Sequence, residues 1–316
     1  MTKTPFANLT GQEKIKSLLS FHLETREVGK PLPHLLFTGA HGHGKTRFIR
    51  EFAKEITQSG TTGKYLELNS ASCKGIQWFI DNVYMPHILD RDNVILLWDE
   101  AHELPRSVQT WFLTVLNTEK SHIRRVNHDG TDYEFDFCKL SMNFATTDSN
   151  KLFKPLKGRM ETVAIAPYSK NELMEIVQLN VPEISFEDNI LEEVVDSIKP
   201  SPREAEKMAT KVANWCAIKK RNCFDSADFA NLSKVADIKI HGLDNIELGV
   251  LKLLHERGPM TLTEISACMS IPATALRQDH EFHLLKKGFI RLNGKREISA
   301  KGREVVLSFK PFDGAK

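Results

Sequence analysis

The chain has 316 residues, of which 41% are apolar and 27% are charged, and its formal net charge at pH 7 is +2. A chain of this length is longer than a single hydrophobic core usually supports, so two or three domains are expected. The composition is ordinary for a globular protein. A near-neutral total charge gives no information about nucleic acid, and no apolar run approaches the roughly 18 residues that a membrane-spanning helix needs.

The first predicted element is a strand, HLLFTG from His34, which leads through closely spaced glycines into a helix, KTRFIREFAKEI. Residues 39–46 read GAHGHGKT and satisfy the pattern G-x-x-x-x-G-K-[ST] in the strand-to-helix position that a P-loop requires. Glycines allow several backbone N–H groups to surround a polyphosphate, and the helix adds the positive end of its dipole. We therefore predict an ATP site, whose binding residues are Gly39, Ala40, His41, Gly42, His43, Gly44, Lys45, Thr46 and Arg47.

Two pairs of residues are predicted to carry the chemistry of this site. Lys45 brings a positive charge to the β- and γ-phosphates, and the Thr46 hydroxyl is a ligand for Mg²⁺. The apolar strand NVILLWDE ends in Asp99 and Glu100, and ligands of parallel sheets bind at the carboxyl ends of the strands. We predict that Asp99 holds the water shell of Mg²⁺ and that Glu100 polarises the attacking water.

Buried strands alternate with helices through the first half of the chain. KYLELN, NVILLWDE and LSMNFATT are typical of strands and SVQTWFLTVLN of a helix, which indicates an α/β fold with a parallel sheet covered on both faces. Residues 124–135 alternate in type around Asp129-Gly130, a strong signal for a β-hairpin. Residues 1–166 are thus predicted to form a nucleotide-binding domain with a hairpin insertion.

The β-character is predicted to end near Pro167. Four segments in residues 167–240 begin with capping residues and indicate a small helical domain. In residues 241–316, three helices precede two short strands around Asn293-Gly294, which is the order of a winged helix-turn-helix.

The winged-helix region carries a local positive charge. Residues 284–303 contain seven basic residues and one acidic residue. We predict that the wing and the adjacent helix contact DNA phosphates, without reading the base sequence, through Lys286, Arg291, Lys295 and Arg296.

With these motifs in this order, the chain resembles the RuvB family of AAA+ ATPases, the branch-migration motors of Holliday junctions. The similarity runs from about Gly11 to Arg303 and includes the strand end ATT, a PLKGRM box and SPRE. It implies Thr147 as sensor 1, Arg159 as an arginine finger presented to a neighbouring subunit, and Arg203 as sensor 2 on the γ-phosphate. It also implies ATP and Mg²⁺ as cofactors, double-stranded or branched DNA as partner, and a homo-oligomeric, hexameric ring.

The chain departs from the family pattern at several positions. Met160 stands where phenylalanine is preferred, Lys157 where a second arginine is frequent, and Asp148 where arginine is usual. His41 and His43 replace proline and leucine in the P-loop. The hairpin tip, RRVNHDGTDYEF, is polar, whereas the tip in the family is apolar and docks on a RuvA-type partner.

Two functions therefore remain open. The first is a ring-shaped motor that drives branch migration, with a RuvA-type or other protein at the hairpin 124–135. The second is a DNA-dependent ATPase switch, a loader or target-selection regulator, that assembles on DNA and recruits a partner without processive movement. A winged-helix regulator with a vestigial ATPase is disfavoured because every catalytic position is filled.

The cysteines, the histidines and the amino terminus predict that disulfides, a zinc site and a signal peptide are absent. The five cysteines are dispersed and form no Cys-x-x-Cys pair, and none of the twelve histidines belongs to an H-E-x-x-H motif. This argues against a disulfide framework and against a zinc site. The amino terminus lacks the layout of a signal peptide, so we expect a cytoplasmic protein with no membrane partner.

Overall fold

A computed structural model describes residues 5–27, 30–57, 63–117, 121–187 and 189–309. They form two compact units, the first within residues 1–185 and 200–222 and the second within residues 186–199 and 223–316. The three-domain division at 1–166, 167–240 and 241–316 stays a prediction, and the ends 1–4 and 310–316 lie outside the described residues.

The first unit is built on a parallel sheet. The strands of this unit are β1 Leu35–Thr38, β2 Lys64–Asn69, β3 Val94–Asp99, β4 Ile123–His128, β5 Thr131–Asp136, β6 Leu140–Thr146 and β7 Glu161–Ala164. Among the described residues, five of them pair in parallel in the order β2-β3-β6-β1-β7. β3 is buried but for its last residue and β6 throughout, because their apolar runs occupy the middle of a sheet that is covered on both faces.

Helices follow most of these strands. The helices of the chain are α1 Glu13–Glu27, α2 Lys45–Thr57, α3 Ile76–Phe79, α4 Met85–His87, α5 Arg106–Val115, α6 Lys154–Lys157, α7 Lys170–Asn180, α8 Ile190–Asp196, α9 Pro202–Lys219, α10 Ser226–Val235, α11 Asn245–Arg257, α12 Leu262–Met269, α13 Ala273–Ala275, α14 Phe282–Lys286 and α15 Ala300–Ser308. π-Helical turns, residues 80–84 and 276–281, join α3 to α4 and α13 to α14.

The aromatic core of the first unit lies between α5 and the sheet. The centroid of the Phe112 ring is 5.9 Å from that of Trp98 and 6.2 Å from that of Phe144.

The predicted hairpin is present as β4 and β5. Its register runs from Ile123 opposite Asp136 to His128 opposite Thr131. Asp129 and Gly130 both have positive φ, 49° and 79°, as the tightest hairpin turns require.

The base of the hairpin is packed against the rest of the unit. Phe135 is fully buried, and the Tyr84 hydroxyl accepts the Glu134 N–H at 3.1 Å and donates to the Glu134 carbonyl at 3.0 Å. The polar tip of the hairpin therefore extends from a base that is held in place by packing and hydrogen bonds.

The second unit contains the winged helix. α11, α12 and the α13–α14 segment precede the antiparallel strands β10 Ile290–Asn293 and β11 Lys295–Ile298. Its core includes Leu251, Leu254, Leu284 and Phe289. The predicted order of three helices and a hairpin is confirmed. The structure also has a helix after the hairpin, α15, that was not predicted.

One expectation about strands was wrong. Two short strands, β8 Ser185–Phe186 and β9 Cys223–Phe224, lie beyond Pro167 and pair with each other. They were missed because two-residue strands carry no periodicity. In the part of the chain that the structure describes, no helix combines the length and the apolar character needed to cross a bilayer.

Candidate functional site

The P-loop occupies the connection between β1 and α2. Gly42 and Gly44 have φ values of 78° and 90°, in the left-handed region that side chains rarely adopt. A Cβ on Gly42 would also lie 3.2 Å from the Cβ of Arg203, so a side chain there would strain the loop and crowd the start of α9.

Lys45 is turned into this loop. It is 6% exposed, and its ammonium donates to the carbonyl oxygens of Gly39 at 2.9 Å and Ala40 at 3.1 Å. Burial lowers the pKa of Lys45, whereas the carboxylates of Glu100 and Asp99 act in the opposite direction. The ammonium is thus held where phosphate oxygens would replace the two carbonyls.

Thr46 and Asp99 meet beside the loop. The Thr46 hydroxyl donates to Asp99 Oδ2 at 3.1 Å, which joins the first turn of α2 to the end of β3. A hydroxyl and a carboxylate are the oxygen donors that Mg²⁺ prefers, so this pair fits the predicted metal.

Glu100 follows β3 in a left-handed backbone conformation with φ 49°. Its N–H donates to Asp99 Oδ1 at 3.0 Å, and its carboxylate accepts the Thr147 hydroxyl at 3.1 Å. The predicted base and the predicted sensor 1 are therefore in direct contact.

His102 is a site residue that sequence reasoning missed. Its Nδ1 lies 2.9 Å from the Thr146 hydroxyl and 3.4 Å from Glu100 Oε2, and its Nε2 lies 3.3 Å from Glu103. The side chain is 10% exposed, and its ring lies against the Glu100 carboxylate. Its proximity in sequence to Asp99-Glu100 was the only available signal.

A cavity of about 490 Å³ opens in front of these groups. Arg203, in the first turn of α9, lines it, and its guanidinium lies 2.9 Å from the His41 ring. The Arg203 N–H donates to the Gly42 carbonyl at 3.4 Å, and Arg47 pairs with Glu206. α9 is therefore joined to the P-loop by backbone and side chains.

A second cavity, of about 260 Å³, adjoins Gly44. Leu9, Tyr168, Ile176 and Pro202 give it apolar walls. Burial raises the pKa of the Tyr168 hydroxyl to about 12, so this group remains a neutral donor. The cavity suits a flat aromatic base, and it was missed because its walls come from distant parts of the sequence.

Arg159 is not part of this cluster. It precedes β7, whose first residue Glu161 pairs with Leu35 at the start of β1, whereas the P-loop follows the end of β1. Four residues of strand, about 13 Å, thus separate the two edges. Arg159 donates to the Pro155 carbonyl at 3.0 Å, and its Nε has no hydrogen-bond partner among the described residues.

The predicted DNA contacts divide into two groups. The first group is exposed and consists of Lys286 on α14 and of Arg291 and Lys295 on the wing, the hairpin formed by β10 and β11. Arg296 is 14% exposed, and its Nε donates to Glu281 at 2.6 Å. Arg296 therefore braces the wing against the π-helical turn and does not join the exposed trio.

Comparison with known proteins identifies relatives of both regions. Residues 2–165 match the family model of the Holliday junction DNA helicase RuvB P-loop domain, and residues 240–306 match the RuvB C-terminal winged helix domain. The Holliday junction branch migration complex subunit RuvB of Pseudothermotoga lettingae is 26% identical over 288 residues, 89% of this chain and 81% of that protein. The subunit of the same name from Kosmotoga olearia is 24% identical over 96% of this chain and 89% of its own length.

Solved structures share the fold. The Thermotoga maritima RuvB Holliday junction branch migration motor matches with a TM-score of 0.75 at 23% identity, covering 98% of each chain. A mutant form of the same protein gives 0.76 at 22% identity, covering 98% of this chain and 100% of that one.

Proposed function

Because the chain belongs to the RuvB family, we propose that it is an ATP-hydrolysing motor that drives Holliday junction branch migration on duplex DNA. The observation that carries the proposal is the placement of the P-loop and Arg159 at opposite edges of one sheet. This placement supports a role for Arg159 in the nucleotide site of a neighbouring copy and not in its own.

The P-loop and its neighbours would hold the nucleotide. The backbone N–H groups of residues 39–46 surround the phosphates, and Lys45 exchanges its carbonyl contacts for phosphate oxygens. The apolar cavity between Leu9 and Tyr168 receives the base. Thr46 and Asp99 would hold Mg²⁺, which neutralises phosphate charge when bound.

Hydrolysis would then depend on Glu100 and its supports. The Glu100 carboxylate orients the attacking water and accepts its proton, while Thr147 and His102 fix the carboxylate in position. Arg203 stabilises charge on the γ-phosphate from α9. Its backbone bond to Gly42 carries a change at the phosphates into that helix.

Arg159 would complete the site of the adjacent copy. An arginine supplied in trans accelerates phosphoryl transfer by about 10³–10⁵. Its release from the Pro155 carbonyl makes the guanidinium available. We propose a closed homo-oligomeric ring of six copies, in which hydrolysis depends on assembly.

The winged helix would hold the DNA. Lys286, Arg291 and Lys295 contact phosphates, which positions the duplex without reading its sequence. The hairpin 124–135 would bind a RuvA-type or other protein. We also propose that the protein works in the cytoplasm, where the DNA is accessible.

The polar hairpin tip favours a second candidate, a DNA-dependent ATPase switch that recruits a partner without processive movement. Arg125 pairs with Glu134 at 2.8 Å and Asn127 with Asp132 at 2.7 Å, so the tip offers charge and not an apolar patch.

A four-way junction assay separates the two candidates. We expect purified chain with ATP to convert junctions into duplex products, faster with a RuvA-type protein added. Conversion has to stop with a non-hydrolysable nucleotide. Assembly on the junction with ATP turnover but no duplex products would replace the motor with the switch.

A further inference from the structure

Three side chains of different chemistry meet at the base of the hairpin, away from the nucleotide site. His122 precedes β4, Asp136 ends β5 and Cys138 follows two residues later. One ligand atom from each, an imidazole nitrogen, a carboxylate oxygen and Sγ, lie within 4.8 Å of one another. His122 Nε2 and Asp136 Oδ1 are 3.9 Å apart.

The fold of the hairpin base holds this trio together. The Phe137 N–H donates to the His122 carbonyl at 2.8 Å, and the Cys138 N–H donates to Asp136 Oδ1 at 2.9 Å. The Phe137 side chain is buried and packs edge-on against His34, with ring centroids 4.5 Å apart. The backbone on both sides of the trio is therefore fixed, and Asp136 Oδ2 has no part in these contacts.

The charges around the trio favour a cation. The sulfur, the carboxylate oxygen and the imidazole nitrogen are all metal-ligating atoms, and they lie within 4.8 Å of one another. A thiolate and a carboxylate at this spacing repel each other unless a positive ion lies between them.

We propose that His122, Asp136 and Cys138 bind a thiophilic divalent cation of the Zn²⁺ class. Nitrogen, oxygen and sulfur donors are the ligand set of Zn²⁺, and a thiolate disfavours Mg²⁺ and Ca²⁺. Bonds of about 2.0–2.3 Å in tetrahedral geometry need ligand atoms roughly 3.3–3.8 Å apart, so the trio, whose ligand atoms lie within 4.8 Å of one another, has to contract when the metal binds. The thiol releases its proton to solvent as the metal–sulfur bond forms, and the fourth position takes water.

A second trio, Asp244, Glu247 and His280 in the second unit, has similar spacing but is already neutralised. The Lys199 ammonium lies 3.0 Å from Asp244 and 2.9 Å from Glu247, so a cation would have to displace it. In the described part of the chain, no ammonium is bonded to the hairpin trio in this way.

The consequence of metal binding would be local. Because His122 lies before the first strand and Asp136 at the end of the second, the metal ties the two ends of the hairpin together. Its binding can be measured on nucleotide-free protein, so the result does not depend on the proposed ATPase function.

The test is a Co²⁺ and Zn²⁺ titration of the full chain after treatment with a chelator and a reductant. We expect one equivalent of Co²⁺ to produce thiolate-to-cobalt charge-transfer absorption, which Zn²⁺ then abolishes. Cys138→Ser should remove the absorption, and His122→Ala, at a half-exposed position, should weaken Co²⁺ binding at least about tenfold. Cys268→Ser, at an exposed cysteine outside the trio, is the matched control.

Absence of the absorption at stoichiometric Co²⁺ would overturn the proposal. So would absorption that persists in Cys138→Ser or disappears in Cys268→Ser. If Cys138→Ser fails to fold, His122→Ala decides, because a metal affinity equal to that of the unmodified chain contradicts the site. Amide exchange in residues 123–136 should slow when Zn²⁺ is added, and unchanged exchange would also count against the proposal.

Discussion

At the scale of single residues, Glu100 shows how the site is prepared before nucleotide arrives. It adopts a left-handed conformation that costs of order 1 kcal/mol or more for a residue with a side chain. Thr147 and His102 then hold its carboxylate from two sides. The carboxylate is therefore fixed by its neighbours and not by its own backbone preference.

We predict that Glu100→Gln abolishes hydrolysis but retains nucleotide binding. The amide keeps the shape and can still accept from Thr147, but it cannot take a proton, so the rate should fall about 10²–10⁴-fold. Phosphate release and a fluorescent nucleotide titration measure the two effects. Glu183→Gln, at an exposed carboxylate outside the site, is the control and should keep its rate. Equal rates for Glu100→Gln and the unmodified chain would remove Glu100 from the mechanism.

His34 links stability to pH. Burial lowers its pKa from the ordinary value of 6.5 to about 4, and its Nδ1 has no hydrogen-bond partner among the described residues. The unfolded chain therefore binds an extra proton between pH 6.5 and 4. The stabilising contribution is complete above pH 6.5 and is lost as the pH falls through that window, by up to about 3 kcal/mol.

We predict that His34→Gln flattens the pH dependence of the free energy of unfolding between pH 6.5 and 4. Urea unfolding at a series of pH values measures it. His255→Gln, at an exposed histidine, should leave the unmodified slope in place. A His34→Gln profile as steep as that of the unmodified chain would assign the acid sensitivity to another group.

The sequence predicted residues that belong to a local motif and missed those that depend on tertiary contacts. Lys45 and Thr46 follow from the strand–loop–helix order, and Asp99 follows from its place at the end of a buried strand, so local patterns predicted all three. Tyr168 lies far from the P-loop in sequence, and a tyrosine alone carries no signal. The trio of His122, Asp136 and Cys138 was also missed, because hairpin pairing and not a familiar spacing brings it together.

At the scale of elements, the wing carries two kinds of basic residue, those exposed to solvent and one that is bonded within the unit. Arg291 and Lys295 are exposed on the two wing strands, whereas Arg296 is bonded to Glu281. Neighbours in sequence therefore have different roles.

We predict that Arg291→Ala and Lys295→Ala each reduce the slope of log affinity against log salt by about 0.9, without changing the unfolding midpoint. Arg296→Ala should instead destabilise the second unit, by ~3 kcal/mol, because it leaves Glu281 buried without its partner. Fluorescence anisotropy on duplex DNA and thermal unfolding distinguish these effects. If the slope of log affinity against log salt is unchanged in both Arg291→Ala and Lys295→Ala, the DNA binds to another surface.

The elements that the sequence predicted correctly are those with the clearest apolar or turn pattern. β3 and β6 were recognised because an unbroken apolar run has few alternatives, and the hairpin because Asp129-Gly130 fits its turn. β7 was missed because only one of its four residues is buried. The π-helical turns were missed because they differ from an α-helix in hydrogen bonding and not in composition.

At the scale of the whole molecule, the separation of Arg159 from the P-loop is the basis for the proposed catalysis between copies. A copy with Glu100→Gln still offers Arg159 to its neighbour, and a copy with Arg159→Ala still holds an intact P-loop. Each variant lacks what the other retains.

We predict that Glu100→Gln and Arg159→Ala are each inactive alone and regain ATPase activity when mixed. At equal amounts about a quarter of the contacts would join an intact site to an intact arginine, so roughly that fraction of activity should return. Steady-state phosphate release over a range of protein concentrations measures it, with Arg91→Ala as an exposed arginine control. Wild-type activity in Arg159→Ala alone would refute catalysis in trans.

The hairpin has one more consequence. Its root is held by Phe135 and Tyr84, whereas no described atom lies within 4 Å of where a Cβ on Gly130 would sit. Gly130 itself has to stay, because its φ of 79° suits glycine, but a dye attached at the neighbouring exposed Thr131 would leave the folding of the domain unaffected. The exposed positions around the turn can therefore vary in sequence without disturbing the packed base of the hairpin.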